Sequence, residues 1–367
     1  MHMNISEYES ITPFKTHNTP TEKKVILIGN GFDLAHGIKT SYSDFRNWLR
    51  LQTLNDPNLL KALGSNIPFK NKHFTITSSD WPKEHLHTVD LYDKNLEGIS
   101  ISNPFLFHLN KVMPKNWLDI ERVYFEIVAS IANSHSTNWD LNGSTSEIKA
   151  INQGFNDLRE DLIKYLQALP IDEIMENLDL TPMSSRLESI VKESSDYIIV
   201  NFNYTNTLTY YADVIDEKKI IPIHGSLNHL ESQPVIFGYG NQSGASFQTI
   251  EDMGVSDYLE NWKTNWYFST SNLSKIIDFI KADILIPTTI KVHIIGLSCG
   301  ISDSVVLSEI FQNPCCEKII THHYKNIQNH RETTSNISRH FGQKKDEFIR
   351  KTERYNDILK CPQLQQK

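Results

Sequence analysis

The sequence predicts an α/β protein with a Rossmann-like, mostly parallel sheet, helices on both faces and a helical insertion. Three observations lead to this fold class. Short β-branched runs recur along the chain, helical segments separate them, and glycine or a polar side chain directly follows several of the runs. Strands that alternate with helices form parallel sheets, because each crossover returns the chain to the same end of the sheet.

The predicted strands are the short apolar runs, which are typical of strands buried on both faces of a sheet. The first covers residues 25–28 and continues directly into Gly29, Asn30 and Gly31. Five more strands are predicted at residues 197–202, 219–224, 234–238, 291–296 and 317–321.

Amphipathic spacing predicts the helices. The first begins near Thr40, where Ser41 or Ser43 can cap it, and it places Phe45 and Leu49 on one face. Later helices are predicted at residues 117–131, 148–169, 171–195, 273–279 and 304–311.

The order of these elements divides the chain into three regions. We expect a flexible arm at residues 1–20, a Rossmann domain at residues 21–325 with a helical insertion at about residues 50–195, and a helical tail at residues 326–367. Within the insertion, residues 53–115 are weakly periodic, which predicts short helices and loops.

Aromatic residues recur every seven positions in the tail, at Phe341, Phe348 and Tyr355. This spacing is typical of an apolar seam along a helix. Such a seam either packs on the same domain or joins two copies of the chain.

The composition is that of a globular chain. The 367 residues include 36 basic and 44 acidic side chains, a net charge of −8, which argues against a protein that coats nucleic acid. The four cysteines lack the paired spacing of a zinc site, and we expect no metal. We also expect a cytoplasmic protein without membrane contact, because the sequence shows neither a signal peptide nor a membrane-length apolar run.

The first candidate site is the turn after the first strand. In open parallel sheets, ligands bind beyond the carboxyl ends of the strands. Glycine lets backbone N–H groups approach a phosphate there. The sequence therefore predicts a nucleotide-binding turn, with an ordinary strand-to-helix turn as the alternative; its residues are Gly29, Asn30, Gly31, Phe32 and Asp33.

Two further sites follow the second and third strands. Residues 201–206, including Asn203 and Tyr204, offer amide groups to a ribose or a water molecule, or else cap the next helix. His224 and Gly225 follow the third strand. A histidine in this position can act as a general base, although most of the 15 histidines are expected to be structural.

A fourth site follows the strand at residues 291–296. It contains Gly296, Ser298 and Asp303. Small residues at a strand end predict a second ligand-facing turn. Asp303 either accepts a hydrogen bond from a ribose hydroxyl or caps the next helix.

These motifs resemble those of the AbiH family of bacterial phage abortive-infection proteins. The segment GNGFDLAHGIKTSYSDF at residues 29–45 carries the resemblance, with shorter matches at residues 117–121, 202–206, 223–225 and 296–303. The resemblance implies a role in antiphage defence.

The same order of motifs is similar, at a lower level, to sirtuin-like NAD-consuming domains, so the resemblance implies NAD as substrate. It makes Asn203 and His224 the catalytic residues. It places the turn from Gly29 to Asp33 at the NAD phosphates and ribose, and Ser298 and Asp303 at the adenosine ribose.

The chain departs from the sirtuin pattern in two ways. Thr205 stands where sirtuin-like proteins have an aspartate. The paired cysteines of the deacetylase zinc module are missing, which argues against a protein deacylase.

Three functions are considered, the first two from these resemblances. The first is an NAD⁺ glycohydrolase that depletes NAD on phage infection. The second is a non-enzymatic sensor of NAD or ADP-ribose, or a regulatory subunit of a defence assembly. The third is a toxin that acts on nucleic acid. The expected partners are the nucleotide, a second copy joined through the tail, and a companion defence protein.

Overall fold

The computed structural model describes residues 21–63, 65, 67–77, 83–114, 116–136, 141–192, 196–240, 244–281 and 287–367. The predicted flexible arm at residues 1–20 lies outside the described residues. The described strands are β1 Thr21–Ile28, β2 Phe69–Lys70, β3 Phe74–Ile76, β4 Ile99–Ile101, β5 Asp196–Asn201, β6 Ile220–Pro222, β7 Thr288–Ile295 and β8 Cys316–His322.

Helices pack on both faces of the sheet, and others form the insertion beside it. They are α1 Asn30–Ala35, α2 Tyr42–Leu54, α3 Pro57–Ala62, α4 Pro104–Val112, α5 Trp117–Ser136, α6 Leu141–Gln167, α7 Ile171–Glu176, α8 Thr181–Val191, α9 Ala245–Asp252, α10 Lys263–Tyr267, α11 Asn272–Ile280, α12 Ser304–Phe311, α13 Ile327–His340 and α14 Lys345–Lys351. Short 3₁₀ helices lie at Lys83–Thr88, Thr207–Tyr211, Glu217–Lys219, Leu227–His229, Ser256–Leu259, Ile301–Asp303 and Asp357–Leu359.

The main sheet is parallel and has the strand order β6-β5-β1-β7-β8. If the five strands of this sheet are numbered by their order along the chain, their order across the sheet is 3-2-1-4-5. The direction of the crossovers therefore reverses between β1 and β7. Ile28 pairs with Asn201 on one side and Ile295 on the other. The three central strands therefore end level with one another, at the switch point where α/β proteins bind ligands.

Side chains of β1 point alternately to the two faces of the sheet, and each face has its own apolar core. Val25 and Leu27 pack with α11 and α12 on one face, whereas Ile26 and Ile28 pack with α8 and the 3₁₀ helix at Thr207–Tyr211 on the other. A third core lies within the insertion and is built mainly from α2, α4, α5 and α6. The predicted Rossmann-like fold with helices on both faces is confirmed.

Two predictions about secondary structure are wrong. Residues 234–238 do not form a strand; instead, Ile236 N donates to the carbonyl of His224 and Gly238 N to a carboxylate oxygen of Glu121. These partners lie outside any strand, so the apolar run stays irregular. In the insertion, β2, β3 and β4 form a small antiparallel sheet in addition to the expected short helices and loops.

The three spaced aromatics of the tail do not lie along one helix, because α13 ends at His340 and α14 begins at Lys345. Phe341 is buried against Phe311, while Tyr355 packs against the ring of His323. These rings pack on the same domain, and self-association through the tail stays a prediction. Among the described residues, no helix has both the length and the apolar character needed to cross a membrane.

The turns after β1 and β7 are packed against each other through glycine. The N–H of Gly31 donates to the carbonyl of Gly296 across 2.8 Å. Gly296 has a φ of +68°, and a Cβ at that position would lie 2.3 Å from the backbone nitrogen of Phe32. These glycines therefore let the two central loops approach each other at the switch point.

We expect Gly296→Ala to destabilise the fold more than Gly37→Ala. Gly37 has a similar φ of +73°, but a Cβ there would meet nothing within 4 Å. The Gly37 variant should cost about 1–2 kcal/mol from backbone strain alone. Overpacking adds about 1–3 kcal/mol to that cost at Gly296. Urea unfolding of both variants measures the difference, and equal losses would contradict the close approach of the two loops.

Candidate functional site

A pocket of about 410 Å³ lies beyond the carboxyl ends of β1, β5 and β7. Small-molecule pockets in proteins span about 300–1,000 Å³. Residues from all four predicted sites line it: Asn30, Gly31, Asp33, Asn203, Tyr204, His224, Gly296, Ser298 and Asp303.

Three residues predicted at the site lie behind the pocket wall. Phe32 is fully buried and packs on the rings of His36 and Tyr211. Gly29 and Gly225 allow close packing, since a Cβ would lie 2.6 Å from Leu297 Cα and 2.0 Å from the Pro234 carbonyl, respectively. These residues support the pocket from behind.

The ring of His224 is buried at the end of the short strand β6, and its orientation is well defined. Nδ1 lies 3.2 Å from the carbonyl oxygen of Phe202, which can only accept a hydrogen bond. In the tautomer in which Nδ1 donates to this carbonyl, Nε2 is the nitrogen that can accept a proton. Nε2 lies 3.1 Å from Oδ1 of Asp303 but is not aligned with it as a hydrogen bond.

A buried chain of charges continues from His224. Nζ of Lys263 lies 2.7 Å from Oδ1 of Asp303 and 2.8 Å from Oε1 of Glu121, and the lysine side chain is 1% exposed. Burial alone would lower the pKa of Lys263, but Asp303 and Glu121 raise it above its ordinary value. Burial opposes ionisation of Asp303 as well, yet the ammonium group of Lys263 holds the pKa of that carboxyl well below its usual range.

This chain of charges engages the carboxylate of Asp303. Asp303 stands at the start of α12, but its side chain makes no capping hydrogen bond there. The expectation that it caps this helix is therefore wrong. Its carboxylate is held beside the imidazole ring of His224, where it can stabilise a positive charge on that ring.

Asn203 and Asp33 meet on the other side of the pocket. Nδ2 of Asn203 lies 3.2 Å from the Gly29 carbonyl and 3.3 Å from Oδ1 of Asp33. Oγ1 of Thr205 donates to Oδ2 of Asp33 across 2.7 Å. Burial raises the pKa of Asp33 to about 6, against the hydrogen bonds from Thr205, Thr207 and Asn203, which lower it.

We expect Asp33→Asn to stabilise the protein at neutral pH. The folded chain keeps the Asp33 proton up to a pH of about 6, whereas the ordinary pKa is 3.8. The folded state thus binds more protons within this window, and its stability falls as the pH rises from about 4 to about 6. Each unit between the two pKa values is worth roughly 1.4 kcal/mol, a loss that asparagine avoids.

Urea unfolding at pH 4, 5, 6 and 7 tests this expectation. The gain from Asp33→Asn should grow across the window and level off above pH 6. The exposed Asp213 supplies the control, and Asp213→Asn should change the free energy of unfolding by less than about 0.5 kcal/mol. A gain at Asp33 that is independent of pH would contradict a buried carboxyl that resists ionisation.

The glycine turn after β1 uses much of its own hydrogen-bonding capacity. Gly29 N donates to the Ile295 carbonyl, Gly31 N to the Gly296 carbonyl and Phe32 N to the Gly29 carbonyl. The side chain of Asn30 is engaged as well, by both the hydroxyl and the carbonyl of Thr40. Phosphate binding by this turn stays a prediction, and these three N–H groups already have acceptors within the protein.

Several pocket residues escaped the sequence analysis. The predicted tail contributes Glu332, Thr333 and Asn336 of α13, and Nδ2 of Asn336 donates to the Ser298 carbonyl. Trp117 of α5 and Ser302 also line the pocket, and the sequence marked them only as members of the motifs at residues 117–121 and 296–303. The buried position of Lys263 was not predicted, because a single lysine among aromatic residues gives no signal of burial. Glu121 was noted only as part of a motif.

The fold and the pocket define a Rossmann-like α/β protein with a ligand-sized site at its topological switch point. The chain belongs to the bacteriophage abortive infection AbiH family, whose model matches residues 25–325. This membership gives it a role in antiphage abortive infection. No curated protein and no solved structure matches the chain.

Proposed function

We propose that this protein acts in abortive infection by hydrolysing the nicotinamide–ribose bond of NAD⁺. One observation carries the proposal: Asn203, His224 and Asp303 come from three separate loops and meet around one pocket. The order of the motifs resembles that of sirtuin-like NAD-consuming domains, in which Asn203 and His224 match the catalytic pair. NAD depletion would stop growth of the host and so of the phage.

The reaction breaks the bond between C1′ of the ribose and the pyridinium nitrogen, and the bonding electrons leave with neutral nicotinamide. The oxygen of water bonds to C1′, and the proton of that water passes to Nε2 of His224, giving ADP-ribose. Asp303 then stabilises the protonated ring. General-base assistance of this kind typically accelerates a reaction about 10²–10⁴-fold.

Asn203 supplies positioning in this scheme. Its Nδ2 is held by the Gly29 carbonyl and the Asp33 carboxyl, and its side-chain oxygen has no donor among the described residues. That oxygen can accept a hydrogen bond from the attacking water or from a ribose hydroxyl. Holding the water against C1′ lowers the entropic part of the barrier.

The experiment compares NAD in phage-infected cells that carry the wild-type gene, the His224→Ala variant or no gene. The proposal expects a fall in NAD and a rise in free nicotinamide with the wild type alone. It is overturned if the wild type protects the culture while NAD remains as high as in infected cells without the gene.

A nucleotide sensor without catalysis is the second candidate, and Thr205 is the observation that favours it. Thr205 occupies the position of an aspartate in the sirtuin-like pattern and donates its hydroxyl proton to Asp33. An aspartate there would set a second carboxylate against Asp33. Bound, uncleaved nucleotide together with normal defence in an Asn203→Ala variant would support the sensor.

A further inference from the structure

We infer that the pocket recognises a positively charged N-glycoside by binding the base and the ribose of that ligand. The diphosphate of NAD⁺ is not bound by the pocket. This inference rests on the proposed function and narrows its substrate class to ribosyl pyridinium compounds. Three independent features of the pocket carry it: the charge of the lining, the used N–H groups of the glycine turn and an unpartnered hydroxyl.

The side chains that line the pocket give it a negative charge. Four carboxylate side chains border the pocket, from Asp33, Glu121, Asp303 and Glu332, whereas none of its described lining residues is lysine or arginine. Lys263 lies behind this wall and offsets one charge of the Glu121–Asp303 pair. The remaining negative charge attracts a cation and repels a diphosphate.

Three N–H groups of the glycine turn are not available to a phosphate. In nucleotide-binding turns, free backbone N–H groups point at the phosphate oxygens. Here the N–H groups of Gly29, Gly31 and Phe32 donate to carbonyl groups of the protein. A diphosphate would face carboxylates without these donors, so it lies toward the open mouth of the pocket.

An unpartnered hydroxyl provides a place for the sugar. Ser302 lines the pocket and is 5% exposed, and its Oγ has no hydrogen-bond partner among the described residues. A buried hydroxyl without a partner is unfavourable. A ribose hydroxyl, which both donates and accepts, satisfies it. Ser304, two residues further on, already donates to the Gly240 carbonyl.

The carboxylates also suit the reaction. As the glycosidic bond lengthens, positive charge moves from the pyridinium ring to the ribose, and fixed negative charges stabilise it there. A site that binds the cationic base and the ribose therefore serves both recognition and bond cleavage.

Calorimetric titration of the full chain with four compounds tests the inference. The compounds are NAD⁺, nicotinamide riboside (cationic, without phosphate), its reduced and uncharged form, and ADP-ribose. We expect nicotinamide riboside to bind with a Kd within about tenfold of that of NAD⁺. The reduced riboside and ADP-ribose should each bind at least about tenfold more weakly than NAD⁺, since one ionic contact to a buried group is worth about that much.

Two pairs of variants locate the contacts. Ser302→Ala should raise the Kd of nicotinamide riboside about 3- to 10-fold, and Ser304→Ala should leave it unchanged. Glu332→Gln at the rim should raise it about 2- to 5-fold, while Glu309→Gln, exposed on α12 away from the pocket lining, should not.

The outcomes separate the inference from the proposed function. If NAD⁺ and ADP-ribose bind equally well and nicotinamide riboside does not bind, the diphosphate is the recognised group, and the inference fails while the proposed function stands. If neither NAD⁺ nor nicotinamide riboside binds, both fail.

Discussion

Under the proposed NAD⁺ hydrolysis, replacing His224 with alanine is expected to reduce nicotinamide release about 10²- to 10⁴-fold, the range typical of a lost general base. The reason is that, in the tautomer in which Nδ1 donates to the Phe202 carbonyl, Nε2 is the proton acceptor beside Asp303. A continuous assay of nicotinamide release, with protein isolated from infected cells, measures the effect.

His229→Ala is the matched control, because His229 is exposed and lies five positions further along the chain. It should retain the wild-type rate. Since His224 is buried, the urea midpoint of each variant is recorded as well, which separates lost catalysis from lost folding. A folded His224→Ala variant that releases nicotinamide at the wild-type rate would remove His224 from the mechanism.

Lys263→Met is expected to have the largest effect on stability. The substitution preserves much of the side-chain volume but leaves the carboxylates of Glu121 and Asp303 buried without their cation. Breaking a buried ion pair by removing one partner typically costs about 3–5 kcal/mol. Urea unfolding at pH 7 measures the loss, and Lys218→Met on an exposed segment should change stability by less than about 0.5 kcal/mol.

A combined variant identifies the cause of that loss. Replacing a complete buried ionic set by neutral groups is often close to neutral for stability. Lys263→Met together with Glu121→Gln and Asp303→Asn should therefore recover most of the stability lost by Lys263→Met alone. If the triple variant is no more stable than the single one, packing of the lysine stem, and not charge, explains the loss.

The sequence predicted the central architecture because its signals are local. The strand at residues 25–28, the cap at Ser41 and the helix at residues 304–311 each follow from short-range patterns, and the structure confirms them. The meeting of Asn203 and His224 at one pocket followed from a general rule about parallel sheets. These parts needed no knowledge of distant contacts.

The features that the sequence analysis missed depend on distant contacts. Residues 234–238 look like a strand, yet the hydrogen bonds of Ile236 and Gly238 go to His224 and to Glu121 on α5. The burial of Lys263 is decided by two carboxylates more than 30 positions away on either side. Periodicity within a short window carries no information about such partners.

The position of α13 has a consequence for the order in which the protein is made. This helix is synthesised after every strand of the sheet, and its residues Glu332 and Asn336 complete the pocket wall. Chains on the ribosome fold from the N-terminus onward. A nascent chain can therefore assemble β1, β5 and β7 while its pocket is still open on one side. The complete pocket therefore forms only after α13 has been synthesised, near the end of translation.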